Sequence, residues 1–495
     1  MSAIKKTRKF REFDTFNLDI NSNNYYLSPF RFHRLTSEKE IIVNEVGEYL
    51  ILANGTFERI VNRKISKIED ADLYGDLISN FFISEEIIPP LIDVLATRYR
   101  TKKQFLDYFT GLHIFVISLR CEHTCQYCQV SRVTQNKDLF DMSITNIDKG
   151  IDLMFKSPNP HVTMEFQGGE ALLAFDNIKY AVERAEKIAI EKSKGLTIVI
   201  CTNLALINEE ILDYCKEHNI LISTSLDGPK YIHDKNRHKP NASSYDLAIK
   251  GIELSREKLG FDNVSALMTT TKLSLDYPTE IVDEYFNLGF QGIFIRNISP
   301  YGFALRSDKS KYDTEKFLDF YKKALNRVLE YNYKGFNFTE DLAKIFLTKI
   351  LTPFNIGFVD LQSPSGLING VIVFNYDGAV YATDESRMLA EQKDYTFKLG
   401  TLEDSYEDIF FGDKVQEISE IWANEGLNGC SECAFQQYCG ADPVHNHATQ
   451  GNMYGYRPTS DFCQKNMEII RYLIDLMESD ERIRRIFESW ARIRN

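Results

Sequence analysis

The 495-residue chain has no apolar run approaching 18 residues, so no stretch of it reads as a membrane-spanning helix. It also lacks a surplus of positive charge: 58 Lys and Arg face 71 Asp and Glu, a net charge of −13. That balance argues against a nucleic-acid partner and against an anionic membrane surface, and leaves a peptide or a small molecule. The start, Met1 to Arg11, has the basic part of a signal peptide without its apolar core, which implies a cytoplasmic protein. Cysteine is scarce as well. Of 9 cysteines, seven fall in two clusters, and in a reducing compartment such clusters point to metal rather than disulfides. What is present is ordinary for a soluble protein, 43% hydrophobic residues over a length that suits two to four domains.

The first cluster is Cys121-Glu-His-Thr-Cys125-Gln-Tyr-Cys128, a C-x3-C-x2-C spacing. Chance would produce it in roughly 0.3% of chains of this composition. The run before it, Leu112 to Leu119, reads as a buried strand, so the three thiols leave its carboxyl end on one loop and can converge on one centre. Three thiolates suit an iron-sulfur cubane with one iron open to a ligand. A zinc loop with a distant fourth ligand, or three inert thiols, also fits the spacing. Cys201 and Cys215, in a strand and on a helix's apolar face, read as core thiols.

Residues 1–109 contain no cysteine. Tyr25–Phe32 and Glu40–Leu52 look like two paired strands, followed by helices over 55–63 and 71–80, a small winged-helix-like module. From Leu112 to Ser299 apolar strands alternate with amphipathic helices, the rhythm of a parallel sheet. Six strands are expected: 112–119, 162–166, 196–201, 221–226, 264–268 and 293–296. Their carboxyl ends carry Gln167-Gly168-Gly169-Glu170, Thr202-Asn203, and Ser225-Leu-Asp227-Gly with His233 and Arg237 beyond. The glycines there would let backbone carbonyls approach a ligand closely. After residue 346 the rhythm changes. Val371–Ala382 is a hairpin around Asp377-Gly378, and Cys430-x2-Cys433-x5-Cys439 with Cys463 forms a four-thiol set for which zinc and an iron-sulfur cluster are both suitable.

The cysteine loop and the strand-end motifs, in this order, resemble the radical S-adenosylmethionine (SAM) family. Leu204 departs from its pattern, standing where "Thr-Asn-Gly" has glycine. The resemblance implies an α/β fold, a partial (β/α)6 barrel over 110–345, with Cys121, Cys125 and Cys128 holding a 4Fe-4S cluster whose open iron chelates SAM. Tyr127 would pack over that cluster, while Gln167, Gly168, Gly169, Glu170, Thr202, Asn203, Ser225, Asp227 and Arg237 would hold SAM. Residues 346–480 resemble the SPASM auxiliary-cluster extension of peptide-modifying relatives, followed by a tail at 481–495. Cys430, Cys433, Cys439 and Cys463 match the ligands of its outer cluster. The inner cluster's ligands are missing near Ser363–Ser365, at Thr383 and at Pro443, which implies two 4Fe-4S clusters rather than three.

Asp384 follows Thr383 where the pattern has "Cys-Asp", and is either the catalytic or substrate-positioning acid, its pKa raised by partial burial, or a cap of a turn with Glu385 and Ser386. Residues 1–109 resemble peptide-recognition elements that pair a strand edge with a leader peptide. Phe30-Arg-Phe-His-Arg and the run from Gly440 to Cys463 resemble, more narrowly, the first of the paired radical SAM maturases of the His-Xaa-Ser repeat peptide system. His445 and His447 in that run are candidate metal or substrate groups, or else residues of a solvated polar loop. Together these imply an enzyme that abstracts hydrogen from a ribosomally made precursor peptide. Its partners would be that peptide, a second maturase and a reductant such as a flavodoxin or ferredoxin. The rival reading is a non-catalytic peptide-binding half of such a pair.

Overall fold

The computed structural model describes residues 25–85, 89–128, 130, 136–302, 304, 312–354 and 357–491. The basic start and residues 492–495 lie outside the described residues. The chain divides into two compact units, Met1–Tyr99 and Arg100–Asn495.

In the first unit β1 (Tyr26–Leu27) pairs with β5 (Ile83–Ser84), and β2 (Phe30–Arg34), β3 (Lys39–Asn44) and β4 (Tyr49–Ala53) form an antiparallel meander. Helices Thr56–Val61 and Ala71–Ser79 follow as expected. The second expected strand, Glu40–Leu52, is in fact two. Asn44 Oδ1 accepts the N–H groups of Val46 (3.0 Å) and Glu48 (3.0 Å), and Gly47 takes φ 81°, so the chain reverses where the apolar run looks unbroken. The core of this unit is Tyr25, Ile42, Leu52, Ile60, Leu77 and Phe82.

The second unit is built on a nine-stranded sheet. Six parallel strands, β6 (Leu112–Ser118), β7 (His161–Gly168), β8 (Gly195–Cys201), β9 (Leu221–Ser225), β10 (Val264–Thr270) and β12 (Ile295–Asn297), lie side by side in chain order. The last strand begins two residues later than the sequence suggests, because Gly292–Ile293 (β11) pairs instead with Thr339–Glu340 (β13). Alternation decides what each face does. Along β7, Val162, Met164 and Phe166 are buried against Ile178, Ala181, Val182 and Ala185 of the helix Phe175–Glu191, spaced to share one helical face. Thr163, Glu165 and Gln167 point to the other face of the sheet.

The hairpin β14 (Val371–Phe374) and β15 (Ala379–Tyr381) forms as expected, with Gly378 at φ 85° and Asp377 Oδ1 accepting from Ala379 N–H (3.0 Å). It is not confined to a separate domain. β14 runs parallel to β6 and, with β15 and β16 (Lys398–Thr401), extends the same sheet beyond the cysteine strand. Nor is the chain's end a simple tail: helix Glu481–Ala491 buries Ile483, Phe487 and Trp490 and packs on helices Asp341–Leu351 and Asp461–Ser479. Among the described residues, no helix is long and apolar enough to cross a membrane.

Candidate functional site

The cysteine loop is set by buried polar anchors on either side. Arg120, just before it, makes a bidentate pair with Asp141 (Nε–Oδ1 2.7 Å, Nη2–Oδ2 2.6 Å) and donates to Leu173 C=O (2.7 Å). Within the loop, Thr124 N–H donates to His238 C=O (2.7 Å). Tyr127, 5% exposed, donates its hydroxyl to Asp227 Oδ2 (2.5 Å), and the Arg237 guanidinium lies over its ring at 5.4 Å. Asp227 is 0% exposed, with Arg237 Nε 3.2 Å from its carboxylate. Burial, then Arg237 and Asp227, govern Tyr127, whose hydroxyl is held protonated. Tyr127, Asp227 and Arg237 thus form one clamp that fixes the loop between Cys125 and Cys128.

Cys121, Glu122 and His123 bring potential metal-ligand atoms within 4.8 Å of one another. The histidine is already engaged: Nδ1 lies 3.0 Å from Glu122 Oε1 and Nε2 lies 2.9 Å from Ser244 Oγ, which also meets His233 Nε2 (3.1 Å). His233 Nδ1 accepts from Asp227 N–H (3.2 Å), and burial lowers its pKa to about 4, so it is neutral. That fixes His233 Nε2 as the donor and orients the whole chain of bonds. Donors left for a metal at the loop are the thiols, and burial, followed by Glu122, pushes the pKa of Cys121 up. A cation is needed to make such thiols ligands.

The thiols open on a cavity of about 260 Å³. Cys121, Cys125, Cys128 and Tyr127 line it, with Gln167, Gly168 and Gly169 from the end of β7. Thr202, Asn203 and Ser225 complete the wall from the next two strand ends, Arg237 joins it from the end of helix Lys230–Asn236, and Asp384 lines the same space. Two expected ligands, Glu170 and Asp227, are not on the wall. Glu170, 1% exposed, accepts from Thr202 Oγ1 (2.6 Å), Asn203 N–H (2.8 Å) and Leu172 N–H (3.0 Å), and burial raises its pKa to about 7. It holds the wall from behind.

The glycines serve a different close approach from the one the sequence suggests. A Cβ on Gly168 would lie 1.9 Å from Ser118 O, and one on Gly169 2.3 Å from Arg120 O, so both let β7 press against the chain entering the cysteine loop. Leu204 keeps the left-handed backbone that glycine favours, φ 64°, and Gly251 makes room for it: a Cβ there would fall 2.6 Å from Leu204 Cβ. Thr224, missed by motif reading, lines the cavity with a buried hydroxyl that has no hydrogen-bond partner among the described residues. An unpartnered buried hydroxyl in a polar cavity is what a bound ligand would satisfy. Cys201 also lines the cavity rather than lying in the core, whereas Cys215 is buried.

Asp384 does not cap its helix, Asp384–Ala390. Thr383 does: its hydroxyl accepts from Ser386 N–H (3.1 Å) while Ser386 Oγ lies 2.9 Å from Thr383 N, a reciprocal capping box. Asp384 Oδ1 is instead 3.3 Å from Nε of Arg387, which is 1% exposed. The neighbouring Glu385 is the carboxyl whose pKa is raised, by burial and then by Asp360 and Asp384.

In the C-terminal cluster Cys433, Cys439 and Cys463 all act on Cys430, whose thiol burial pushes up to about 12. Asn466 Nδ2 approaches Cys439 Sγ at 3.8 Å. None of the nine cysteines is in a disulfide. His445 and His447 belong not to a solvated loop but to helix Pro443–Gln450, paired with Asp461 (2.7 Å) and Asp394 (2.7 Å).

Residues 115–285 match the Radical SAM superfamily model. That stretch of the chain is similar to a radical SAM domain. It is 23% identical over 367 residues to a cysteine-type anaerobic sulfatase-maturating enzyme of Clostridium perfringens, covering 71% of this chain and 93% of that protein. It is 24% identical over 257 residues to the radical SAM cyclopropyl synthase TigE of Paramaledivibacter caminithermalis, covering 48% of this chain and only 52% of the synthase. Among solved structures, anSMEcpe with bound AdoMet superposes with a TM-score of 0.62 at 18% identity, over 77% of this chain and 99% of that one. Streptococcus suis SuiB bound to precursor peptide SuiA superposes with a TM-score of 0.52 at 15% identity, over 89% and 100%. At these identities the likenesses establish the fold alone, a mixed α/β architecture built on a parallel sheet.

Proposed function

We propose that the protein is a radical SAM enzyme that modifies a ribosomally synthesised precursor peptide. One observation carries the reading: the three thiols of the cysteine loop, the strand-end residues and Asp384 share a single cavity. Cys121, Cys125 and Cys128 would hold the SAM-binding cluster, and Cys430, Cys433, Cys439 and Cys463 an auxiliary one. When bound, the first cluster and SAM together supply a carbon-centred radical that abstracts hydrogen from the substrate. The chain's own residues position the partners. The Tyr127–Asp227–Arg237 clamp fixes the loop, Glu170 holds the Thr202–Asn203 wall, and Thr224 offers its hydroxyl to the cofactor. Asp384, steadied by Arg387, is the carboxylate placed to accept a proton from the peptide.

The antiparallel meander β2–β4 is the sheet of the first unit to which a leader peptide could add as a further strand. The relatives add support: the sulfatase-maturating enzyme acts on a protein, and SuiB binds a precursor peptide. The narrower assignment, to the His-Xaa-Ser repeat peptide system with its second maturase, rests on the sequence resemblance.

The test is anaerobic reconstitution with iron and sulfide, then SAM and dithionite, with 5′-deoxyadenosine measured by chromatography. Release by the parent and none by the Cys121→Ala, Cys125→Ala, Cys128→Ala variant is expected. A non-catalytic binding partner would release none from either.

A further inference from the structure

A second cavity, of about 70 Å³, shares Arg296, Asn297 and Ser299 with the wall of the first. It lies beside each position where the inner-cluster ligands of the resembling extension are absent: Asp360 precedes Ser363, Glu385 follows Thr383, and Asp442 precedes Pro443. All three carboxylates line it. Charged side chains stand there among apolar ones such as Phe294, Leu342, Phe358 and Phe462.

The charges do not balance. Facing the three carboxylates are the cations Arg296 and Lys465. Arg296 lies 3.9 Å from Asp360, and Lys465 Nζ donates to Asn297 Oδ1 (2.8 Å) within the influence of Asp360, Asp442 and Asp461. His445 is bonded to Asp461. Asp442 is occupied by the N–H of His445 (2.9 Å), whose helix it caps. Glu385 is left over. Apart from its own backbone N–H, no donor among the described residues reaches its carboxylate, which is enclosed by protein yet keeps accessible surface and so faces the cavity. Burial and then the neighbouring carboxylates Asp360 and Asp384 raise its pKa, and Arg296 offsets them only in part.

We propose that this cavity is a specificity pocket in which Glu385 receives the cationic end of a lysine or arginine side chain of the substrate peptide, beside the residue being modified. The common wall at Arg296 and Asn297 puts such a side chain next to the Asp384 face of the reaction cavity. The pocket's volume suits the end of one long side chain, and a single surplus carboxylate suits a single cation. A buried acid whose hydrogen bonds are unmade gains most from a charged donor. This inference rests on the peptide-modifying reading of the larger cavity.

The experiment is binding of three blocked tripeptides, acetyl-Gly-Lys-Gly-amide and its norleucine and glutamate counterparts, to the cluster-loaded full chain, followed by saturation-transfer NMR. The lysine peptide should bind the parent roughly tenfold or more tightly than either of the others. In Glu385→Gln that preference should vanish while iron content and melting temperature hold. Equal binding of the lysine and norleucine peptides to the parent, which needs no variant, overturns the proposal. So does a lysine preference that survives in E385Q. Because the readout is binding, its outcome separates from that of SAM cleavage: a chain that prefers lysine but releases no 5′-deoxyadenosine retains the pocket and loses the radical reading.

Discussion

Replacing Asp227 by Asn tests how the cysteine loop is held. Asp227 is 0% exposed. It accepts from the Tyr127 hydroxyl (2.5 Å) and Thr269 N–H (3.3 Å) and faces Arg237 Nε at 3.2 Å. Asparagine keeps the shape, removes the charge that offsets a guanidinium only 15% exposed, and turns an N–H₂ towards groups that are themselves donors. Leaving one partner of a buried pair uncompensated costs about 3–5 kcal/mol. Tyr127→Phe keeps the ion pair and removes one donor to a charged acceptor, which costs about 1.5–3 kcal/mol. D227N should therefore be the more damaging variant.

Urea unfolding followed by tryptophan fluorescence measures this, since Trp422 and Trp490, the chain's 2 tryptophans, both lie in the second unit. Cys125 also acts on Arg237, in the direction that favours its charge. A thiolate there, as in a loaded cluster, takes over part of Asp227's work, so the loss should be smaller in loaded than in cluster-free protein. The clamp is refuted if D227N unfolds within about 1 kcal/mol of the parent, or if Y127F is the costlier change.

Reconstituted protein should carry on the order of 8 iron atoms per chain, falling to about half in the triple cysteine-loop variant; roughly 12, or zinc at Cys430, contradicts the loss of the inner cluster. Deleting residues 1–99 should abolish modification of the cognate peptide and spare SAM cleavage, and retained peptide affinity would place recognition in the second unit. Glu340, 0% exposed and capping helix Asp341–Leu351, has its pKa raised by burial from 4.5 to about 7. The folded state therefore holds its proton more tightly than the unfolded one, and this contribution is present below pH 4.5 and lost as pH rises through 7, about 3 kcal/mol in all. Glu340→Gln should flatten that part of the stability profile between pH 5 and 8, and an unchanged slope counts against it. Asp384→Asn should lose most product while deuterium from labelled peptide still reaches 5′-deoxyadenosine, and full product yield ends the case for a proton-accepting role.

The barrel was legible because each of its first five strands is a short apolar run bounded by turns, and Gly169, Asn203 and Asp227 follow their strands closely. What a motif does not specify is which face a side chain takes. Glu170 and Asp227 stand at ligand positions in the chain, yet both turn behind the wall, because each finds there three donors or a guanidinium that solvent cannot match. Sheet neighbours were equally hidden: β14 joins β6 through residues 259 positions apart, such as Val373 with Ile114, and nothing local to either strand encodes that choice. The split of Glu40–Leu52 was readable in principle, since Asn44 and Gly47 are turn residues inside an apolar run.

The missing inner-cluster ligands show the asymmetry most sharply. That cysteine is absent near Ser363, at Thr383 and at Pro443 can be read directly from the chain. What took its place cannot, because it depends on three segments meeting. Thr383, standing where a ligand would, caps a helix instead, and the first turn of that helix points Asp384 into one cavity and Glu385 into the next. A capping hydroxyl is worth about 1 kcal/mol, and a buried unpaired carboxylate costs more than that. Local helix stability therefore does not account for Glu385, and the cationic side chain proposed for this pocket would.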